Sequence, residues 1–248
     1  IKNYIFKMQI SFKEIIKNHI LLIPGLKKFS LVFHKTGILN DDKKSSDRCD
    51  EILYFISKNN LSCKSILEAG PGQNILTITK LQEKLNPEKT YALDTNKYVD
   101  KEVWNKNNIN FLYKNTYSLK NDSIDLIYCY DVFEHVNNPK SFLTEMKRIL
   151  SPNGIIFSSW DMRDHLKLNN EKEWFDMQKY SEFIWNLQMS NRSSYVNRLQ
   201  MYEWKELFNK LNFKTLFIHE KTSTIAAESH TENYSNILDP VYRAKIVL

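Results

Sequence analysis

Three groups of side chains in this 248-residue chain have the types and spacing of a site that binds a ligand or moves a proton. In the first, Glu68 stands two residues before Gly70, Gly72 follows, and Asp94 lies about twenty residues beyond the glycines. Two glycines this close let the backbone turn sharply and let a ligand approach with no Cβ in the way. An acid at the end of the next strand is placed to accept hydrogen bonds from both hydroxyls of a ribose. The second group is Asp131, Glu134 and His135, and the third is Asp161, Arg163, Asp164 and His165. An imidazole that is neutral near pH 7 suits removal of a hydroxyl proton. Arginines such as Arg163, Arg192 and Arg198 match phosphate or carboxylate oxygens two at a time. The oxygen donors of the second and third groups with one imidazole would also suit Mg²⁺ or Mn²⁺. That is the lesser reading, and no metal is expected.

The elements that must hold these groups follow from the apolar pattern. Ser65-Ile66-Leu67-Glu68-Ala69 reads as a buried strand, Gly70-Pro71-Gly72 as a tight turn, and Ile75 to Leu85 as a helix whose first N–H groups have no intrahelical partner. Strands follow at 90–94, 109–113 and 123–130, a helix starts at Asn138-Pro139, and Ser151-Pro152-Asn153-Gly154 turns into a strand from Ile155. After an aromatic and polar stretch, a helix over 202–211 and strands over 213–218 and 244–248 complete the pattern. The alternation predicts an α/β fold, a Rossmann-like, doubly wound, seven-stranded sheet with helices on both faces. Ahead of it, Ser11 and Glu14 match a capping box, and Phe12, Ile15, Ile16, His19, Ile20 and Ile23 recur at helical spacing up to Pro24-Gly25. A helix packed on the domain is favoured there over one lying on a membrane surface. A charged segment, Asp41 to Asp50, precedes a helix with Ile52, Leu53, Phe55 and Ile56 inward. The expected divisions are an N-terminal helical extension (1–44), a core (45–160), a substrate cap (161–202) and the rest of the core (203–248).

Two ligand classes use a turn of this kind. A dinucleotide fingerprint wants Gly or Ala three positions after the second glycine, and Ile75 stands there instead. What remains resembles motif I of the class I S-adenosylmethionine-dependent methyltransferases. The stretch Ser123 to Val136, with Asp125 opening the strand and Asp131, Glu134 and His135 beyond its end, is similar to that family's motif around the fourth strand. Ser151-Pro152-Asn153-Gly154 is close to the turn before its fifth. Asn74 and Asn115 depart from the family pattern, which has a third glycine and an aspartate at those places. The segment Asp161-Met162-Arg163-Asp164-His165, with Asn197-Arg198-Leu199, His34-Lys35-Thr36-Gly37 and Arg48, also resembles a subgroup associated with bacterial cell-surface polysaccharide synthesis.

The resemblance implies S-adenosylmethionine as cofactor, converted to S-adenosylhomocysteine. It implies cofactor contacts at Glu68, Gly70, Pro71, Gly72, Asp94, Thr95, Asn115, Thr116, Tyr130 and Asp131. Asn115 would accept from the adenine amino group through its amide oxygen. His135 and His165 are the candidate bases, and Arg163, Asp164, Tyr195 and Arg198 the candidate acceptor contacts. The expected reaction is O-methylation of a saccharide or a phosphorylated metabolite, including a phosphoramidate-bearing one, for capsule or other surface glycans. A quinone or lipid precursor is the alternative acceptor, and a catalytically inactive binding module the alternative from another class.

Composition narrows the rest. Hydrophobic content of 42% and aromatic content of 13% suit a folded core. The formal charge of +6 comes from lysines scattered among asparagines, so no nucleic-acid partner is expected, and the arginines above favour a small anionic acceptor. Cys49, Cys63 and Cys129 are odd in number and widely spaced, which suits neither a disulfide framework nor a zinc site and fits a reducing cytoplasm. No apolar run reaches the length of a membrane span, and no signal-peptide pattern is seen.

Overall fold

A computed structural model describes residues 11–20, 22–23, 41–192, 194–223 and 241–248. Central strands of a parallel sheet are covered on both faces and so read as continuous apolar runs. This is the character of β1 (Ser65–Ala69), buried at every position, and of β4 (Ile124–Tyr130). With β2 (Lys89–Asp94), β3 (Asn110–Tyr113), β5 (Leu150–Asp161), β6 (Phe217–Thr222) and β7 (Val241–Val247) they form one seven-stranded sheet, ordered β3-β2-β1-β4-β5-β7-β6. Strands β1 to β5 pair in parallel, and β7 runs antiparallel to both β5 and β6. The chain winds outward from β1 through β2 to β3, then returns to place β4 on the other side of β1. The crevice at the C-terminal ends of β1 and β4 is therefore the topological switch point, where open α/β sheets take ligands.

The helices are α1 (Phe12–Ile20), α2 (Asp42–Lys58), α3 (Leu76–Leu85), α4 (Lys101–Lys106), α5 (Pro139–Ile149), α6 (Glu182–Met189) and α7 (Met201–Lys210). One face of the sheet is filled by Phe133, Trp160, Trp204 and Phe208 with Leu143 and Met146 of α5. The other is filled by Phe55, Trp104, Tyr128 and Phe157. At the edge away from the crevice, the Asp125 carboxylate accepts from the Lys64 and Ser65 N–H groups (2.9 and 3.0 Å), fixing the start of β1 against β4. None of the helices described is long and apolar enough to cross a membrane.

Four elements differ from the sequence expectation. Helix α2 begins at Asp42 and runs through the charged segment, because the Asp41 carboxylate caps the Lys44 N–H (3.0 Å) and Ser45, Cys49, Ile52 and Ile56 make one buried stripe. Apart from Arg48, the charges of that segment are its solvent face. Strand β5 includes the Ser-Pro-Asn-Gly stretch as an irregular lead-in paired to Ile124. A Cβ on Gly154 would lie 2.9 Å from the carbonyl oxygens of Ile124 and Asp125, so a side chain does not fit there. Strand β6 starts at Phe217, not 213, since Asn212 takes a left-handed conformation after α7 and the Phe213 N–H bonds back to Phe208. In α1 the buried residue is Asn18, while Phe12 and Ile16 are 75% and 63% exposed. The helix is held by polar contacts to α6: the Asn18 amide donates to the Leu187 carbonyl (3.0 Å), and Arg192 pairs with Glu14 (2.5 Å). Only half of the expected capping box forms, because Glu14 serves Arg192 and Lys17 while the Ser11 N–H turns to Gln188. Pro24-Gly25 and His34 to Gly37 lie outside the described residues.

Candidate active site

The turn after β1 is built by two residues in the left-handed region, Gly70 (φ +72°) and Gly72 (φ +61°). A Cβ at Gly70 would meet Val132 Cγ2 at 2.5 Å, so the turn lies directly against the segment that follows β4. The Gly72 N–H donates to Asp94 Oδ2 (3.1 Å) and the Asn96 N–H to Oδ1 (2.8 Å), which draws the end of β2 up to the same turn. Burial raises the Asp94 carboxyl against these backbone hydrogen bonds, which favour its charged form. Glu68 is fully enclosed beside it and accepts from the Tyr128 hydroxyl (3.2 Å). Burial, partly offset by that hydrogen bond, pushes the Glu68 carboxyl up to about 8.

The structure thus brings Glu68, Gly70, Pro71, Gly72 and Asp94 to one place, and a ribose fits its chemistry: a buried carboxylate beside a side-chain-free turn. Thr95 follows on the surface. Asn115 and Thr116 lie beyond β3 on the wall of a cavity of about 530 Å³, with Leu93, Phe142 and Met146. Asn115 Oδ1 accepts from the Tyr117 N–H (3.2 Å), and the Thr116 hydroxyl donates to Glu145.

Beyond β4 the site is charged. Asp131 takes φ +56° and is gripped by Arg48 (3.0 Å) and Arg243 (2.7 Å). Arg243 also reaches Asp161 (3.4 Å), which is paired bidentately with Arg163. Burial acts to raise the Asp161 carboxyl, but the hydrogen bonds and charge of Arg163 together hold it below its usual value. Arg163 itself lies over the rings of Trp174 and Tyr242. Tyr130 turns toward α2, under the Arg48 guanidinium, with its hydroxyl donating to the Arg48 carbonyl (3.2 Å).

One short 3₁₀ turn, Phe133–His135, sets the remaining groups. The imidazoles of His135 and His165 meet edge to face, ring centres 4.9 Å apart. Burial lowers the pKa of His135. His165 is pushed down to about 4, by burial first and then by the neighbouring His135. Both rings are therefore neutral near pH 7 and able to accept a proton or a metal. Glu134 is buried behind them, its Oε1 accepting from the Asp161 N–H (2.9 Å); burial, then the charge of Asp131, raise its carboxyl well above the ordinary range.

Residues between 161 and 202 contact this end, the Asn197 N–H donating to the Glu134 carbonyl (2.7 Å). Asp164 is buried, with burial pushing its carboxyl up to about 6, and lines a cavity of about 600 Å³ with Glu14, Tyr180, Trp185, Gln188 and Arg192. Tyr195 takes part through its backbone, its carbonyl lying 2.5 Å from His135 Nδ1. Arg198 is spent on structure: with φ +66° it donates to the Tyr180 (2.7 Å) and Met177 (3.3 Å) carbonyls. Arg192 is taken by Glu14. Neither supplies the free guanidinium that the sequence suggested.

Comparison with known proteins agrees with this geometry. Residues 42–216 match the protein family described as Methyltransferase domain. The chain belongs to that methyltransferase family. Curated relatives include ubiquinone biosynthesis O-methyltransferases of Rickettsia typhi and Rickettsia prowazekii, each 28% identical over 144 residues. That alignment takes in 54% of this chain and 58% of the Rickettsia typhi protein, so the chain spans little more than half the length of the curated relatives it matches. Among solved structures, a putative sarcosine dimethylglycine methyltransferase from Galdieria sulphuraria superposes with a TM-score of 0.55 at 14% identity, covering 84% of this chain and 90% of that one. The plantazolicin methyltransferase BpumL, solved with a triazolic desmethylPZN analog and SAH, gives 0.53 at 16% identity over 95% and 94%. At these identities the likeness is one of fold.

Sequence reasoning did not single out Arg243, or Arg48 as a partner of Asp131. Arg243 has no local motif, and it reaches the methyltransferase site only because β7 pairs antiparallel with β5, placing it opposite Asp161. Arg48 carries a usable signal, a cation three residues after Ser45 and four before Ile52, both buried positions of the α2 stripe, once α2 is recognised as one long helix.

Proposed function

We propose that this methyltransferase O-methylates a small hydroxylated acceptor held beneath the cap of residues 161–202. The observation that carries the reading is the contact between the His135 and His165 rings, since His135 stands three residues beyond Val132, the residue lying against the Gly70 turn. The cofactor supplies a methyl group on a positive sulfonium, which passes to the acceptor oxygen as the carbon–sulfur bond breaks. In this reading Asp94 takes the ribose hydroxyls, Gly70, Pro71 and Gly72 line the methionine end, and Glu68 orders the turn. Thr95, Asn115, Thr116, Tyr130 and Asp131 border the cofactor. The acceptor hydroxyl must lose its proton, and the histidine pair is where that proton is relieved. Much of the acceleration then comes from holding the oxygen in line with the methyl.

We favour an acceptor bearing phosphate or carboxylate, such as a saccharide intermediate of surface glycan synthesis, made in the cytoplasm. The support is the excess of cationic charge where three arginines, Arg48, Arg163 and Arg243, meet two carboxylates, Asp131 and Asp161, together with the resemblance of the 161–165 segment. Asp164 and the cap cavity would meet acceptor hydroxyls. The names of the curated relatives favour a second reading, a quinone precursor. Incubation with methyl-labelled S-adenosylmethionine and matched panels of sugar phosphates and hydroxylated quinone precursors separates the two. Label in sugar phosphates supports the first, and label only in the aromatic panel replaces it with the second. Absence of S-adenosylmethionine binding by folded protein would favour an inactive binding module over both.

A further inference from the structure

We propose that Glu134, His135 and His165 form a binding site for one divalent transition-metal ion, Zn²⁺ fitting best, at the acceptor end of the methyltransferase site. Two of the three residues, His135 and Glu134, have one polar atom held by backbone and a second left over. His135 Nδ1 lies 2.5 Å from the Tyr195 carbonyl oxygen, which only accepts, so Nδ1 carries the hydrogen and Nε2 keeps its lone pair. The His165 ring lies beside the Asp161 backbone, which favours its protonated form against burial. Glu134 Oε1 accepts from the Asp161 N–H, while its Oε2 is wholly buried and has no hydrogen-bond partner among the described residues. An orphaned carboxylate oxygen in the interior is costly unless a proton or a cation meets it. One donor atom from each residue lies within 4.8 Å of the others. A backbone carbonyl on the far nitrogen, as the Tyr195 carbonyl is for His135, is a usual support of a histidine metal ligand.

The identity of the ion follows from the donor set. Two imidazoles and one carboxylate are a nitrogen-rich set suited to Zn²⁺ and its transition-metal neighbours, whereas Mg²⁺ and Ca²⁺ prefer oxygen throughout. This departs from the expectation of no metal and from the lesser Mg²⁺ or Mn²⁺ reading. Asp131, which that reading included, is committed to Arg48 and Arg243, and the third ligand comes from the cap as His165. Bonds of about 2.0–2.2 Å to a tetrahedral ion hold ligand atoms roughly 3.4 Å apart, so binding would draw the three donors together by about 1.5 Å. Because two ligands belong to the turn after β4 and one to the cap, the ion would tie the cap to the core. Three protein donors leave a position open, where an acceptor hydroxyl would lose its proton more readily. This last role rests on the reading that the histidine pair faces the acceptor.

The test uses the whole chain without a histidine tag, stripped by a chelator and then dialysed free of it. Zn²⁺ is titrated calorimetrically, Co²⁺ is titrated by visible absorption, and S-adenosylhomocysteine is titrated into the same samples. The proposal expects one Zn²⁺ per chain and the intense visible bands of Co²⁺ in a low-coordinate nitrogen and oxygen site. His165→Ala and Glu134→Gln should each weaken binding by more than about tenfold, and His219→Ala, an exposed histidine on β6, should change nothing. Protein that binds S-adenosylhomocysteine but takes up no stoichiometric Zn²⁺, or that keeps it in His165→Ala, overturns the metal site and leaves the methyltransferase reading intact. Stoichiometric Zn²⁺ uptake without S-adenosylhomocysteine binding supports the metal site and counts against that reading. If Glu134→Gln does not fold, His165→Ala decides.

Discussion

The two ends of the crevice are built differently. At the cofactor end, the groups that matter lie on successive strand ends, and the backbone does most of the presenting: two left-handed glycines, a carboxylate held by two N–H groups, a buried acid beneath them. At the other end, where we place the acceptor, the groups come from α2, β7, the ends of β4 and β5 and the residues after them, and most charges there are already matched to one another. A site made by local backbone geometry can be found from spacing. A site made by long-range charge pairing cannot, because residue type does not say which partner has claimed it.

Substitutions can break or sharpen this contrast. The largest effect is expected for His135→Ala, which should lower turnover by about 10²–10⁴-fold while S-adenosylmethionine affinity stays near wild type, measured by steady-state kinetics beside calorimetry. Next is Gly70→Ala, which forces a side chain into the left-handed region and a Cβ onto Val132. Cofactor affinity should fall about 100-fold or more with the secondary structure retained by circular dichroism. If instead His135→Ala abolished cofactor binding, the two ends would not be separable.

Arg198→Ala removes two hydrogen bonds from a charged donor to the Tyr180 and Met177 carbonyls. Limited proteolysis should then cut within 161–202 more readily and the acceptor KM should rise about tenfold, with cofactor affinity unchanged. A drop in kcat alone would mean that Arg198 touches the acceptor after all.

The smallest effect concerns Glu68, whose carboxyl is pushed from 4.5 up to about 8 by burial. Its folded pKa is raised, so stability is full below pH 4.5, declines as pH rises from there to about 8 while only the unfolded chain ionises, and loses nothing further above that. Glu68→Gln should flatten that decline and raise Tm by several degrees at pH 8 in cofactor-free protein. An unchanged pH profile would show that Glu68 is ionised in the folded state.

How much of this the sequence revealed follows the same division. The β1 turn was legible because its glycines and the helix start adjoin in sequence, and Asp94 because it ends the next strand; the Asp131 to His135 segment could be located after β4, but its partners Arg48, Arg243 and Tyr195 could not. The start of α2 was misplaced because charge density masked a helical stripe of Ser45, Cys49 and Ile52. Arg192 and Arg198 looked like anion clamps but serve Glu14 and backbone carbonyls, contacts that no local spacing records. Arg243 was invisible for the converse reason, since only the reversed direction of β7 carries it to Asp131.

The most direct test of the account is calorimetric titration of S-adenosylmethionine and S-adenosylhomocysteine into wild type and Asp94→Ala. Binding by wild type that falls about 100-fold in the variant, with the fold preserved, is the predicted result, as expected when a buried carboxylate loses two ribose hydrogen bonds. Equal affinity in both proteins, or no binding by folded wild type freed of copurified cofactor, would contradict it.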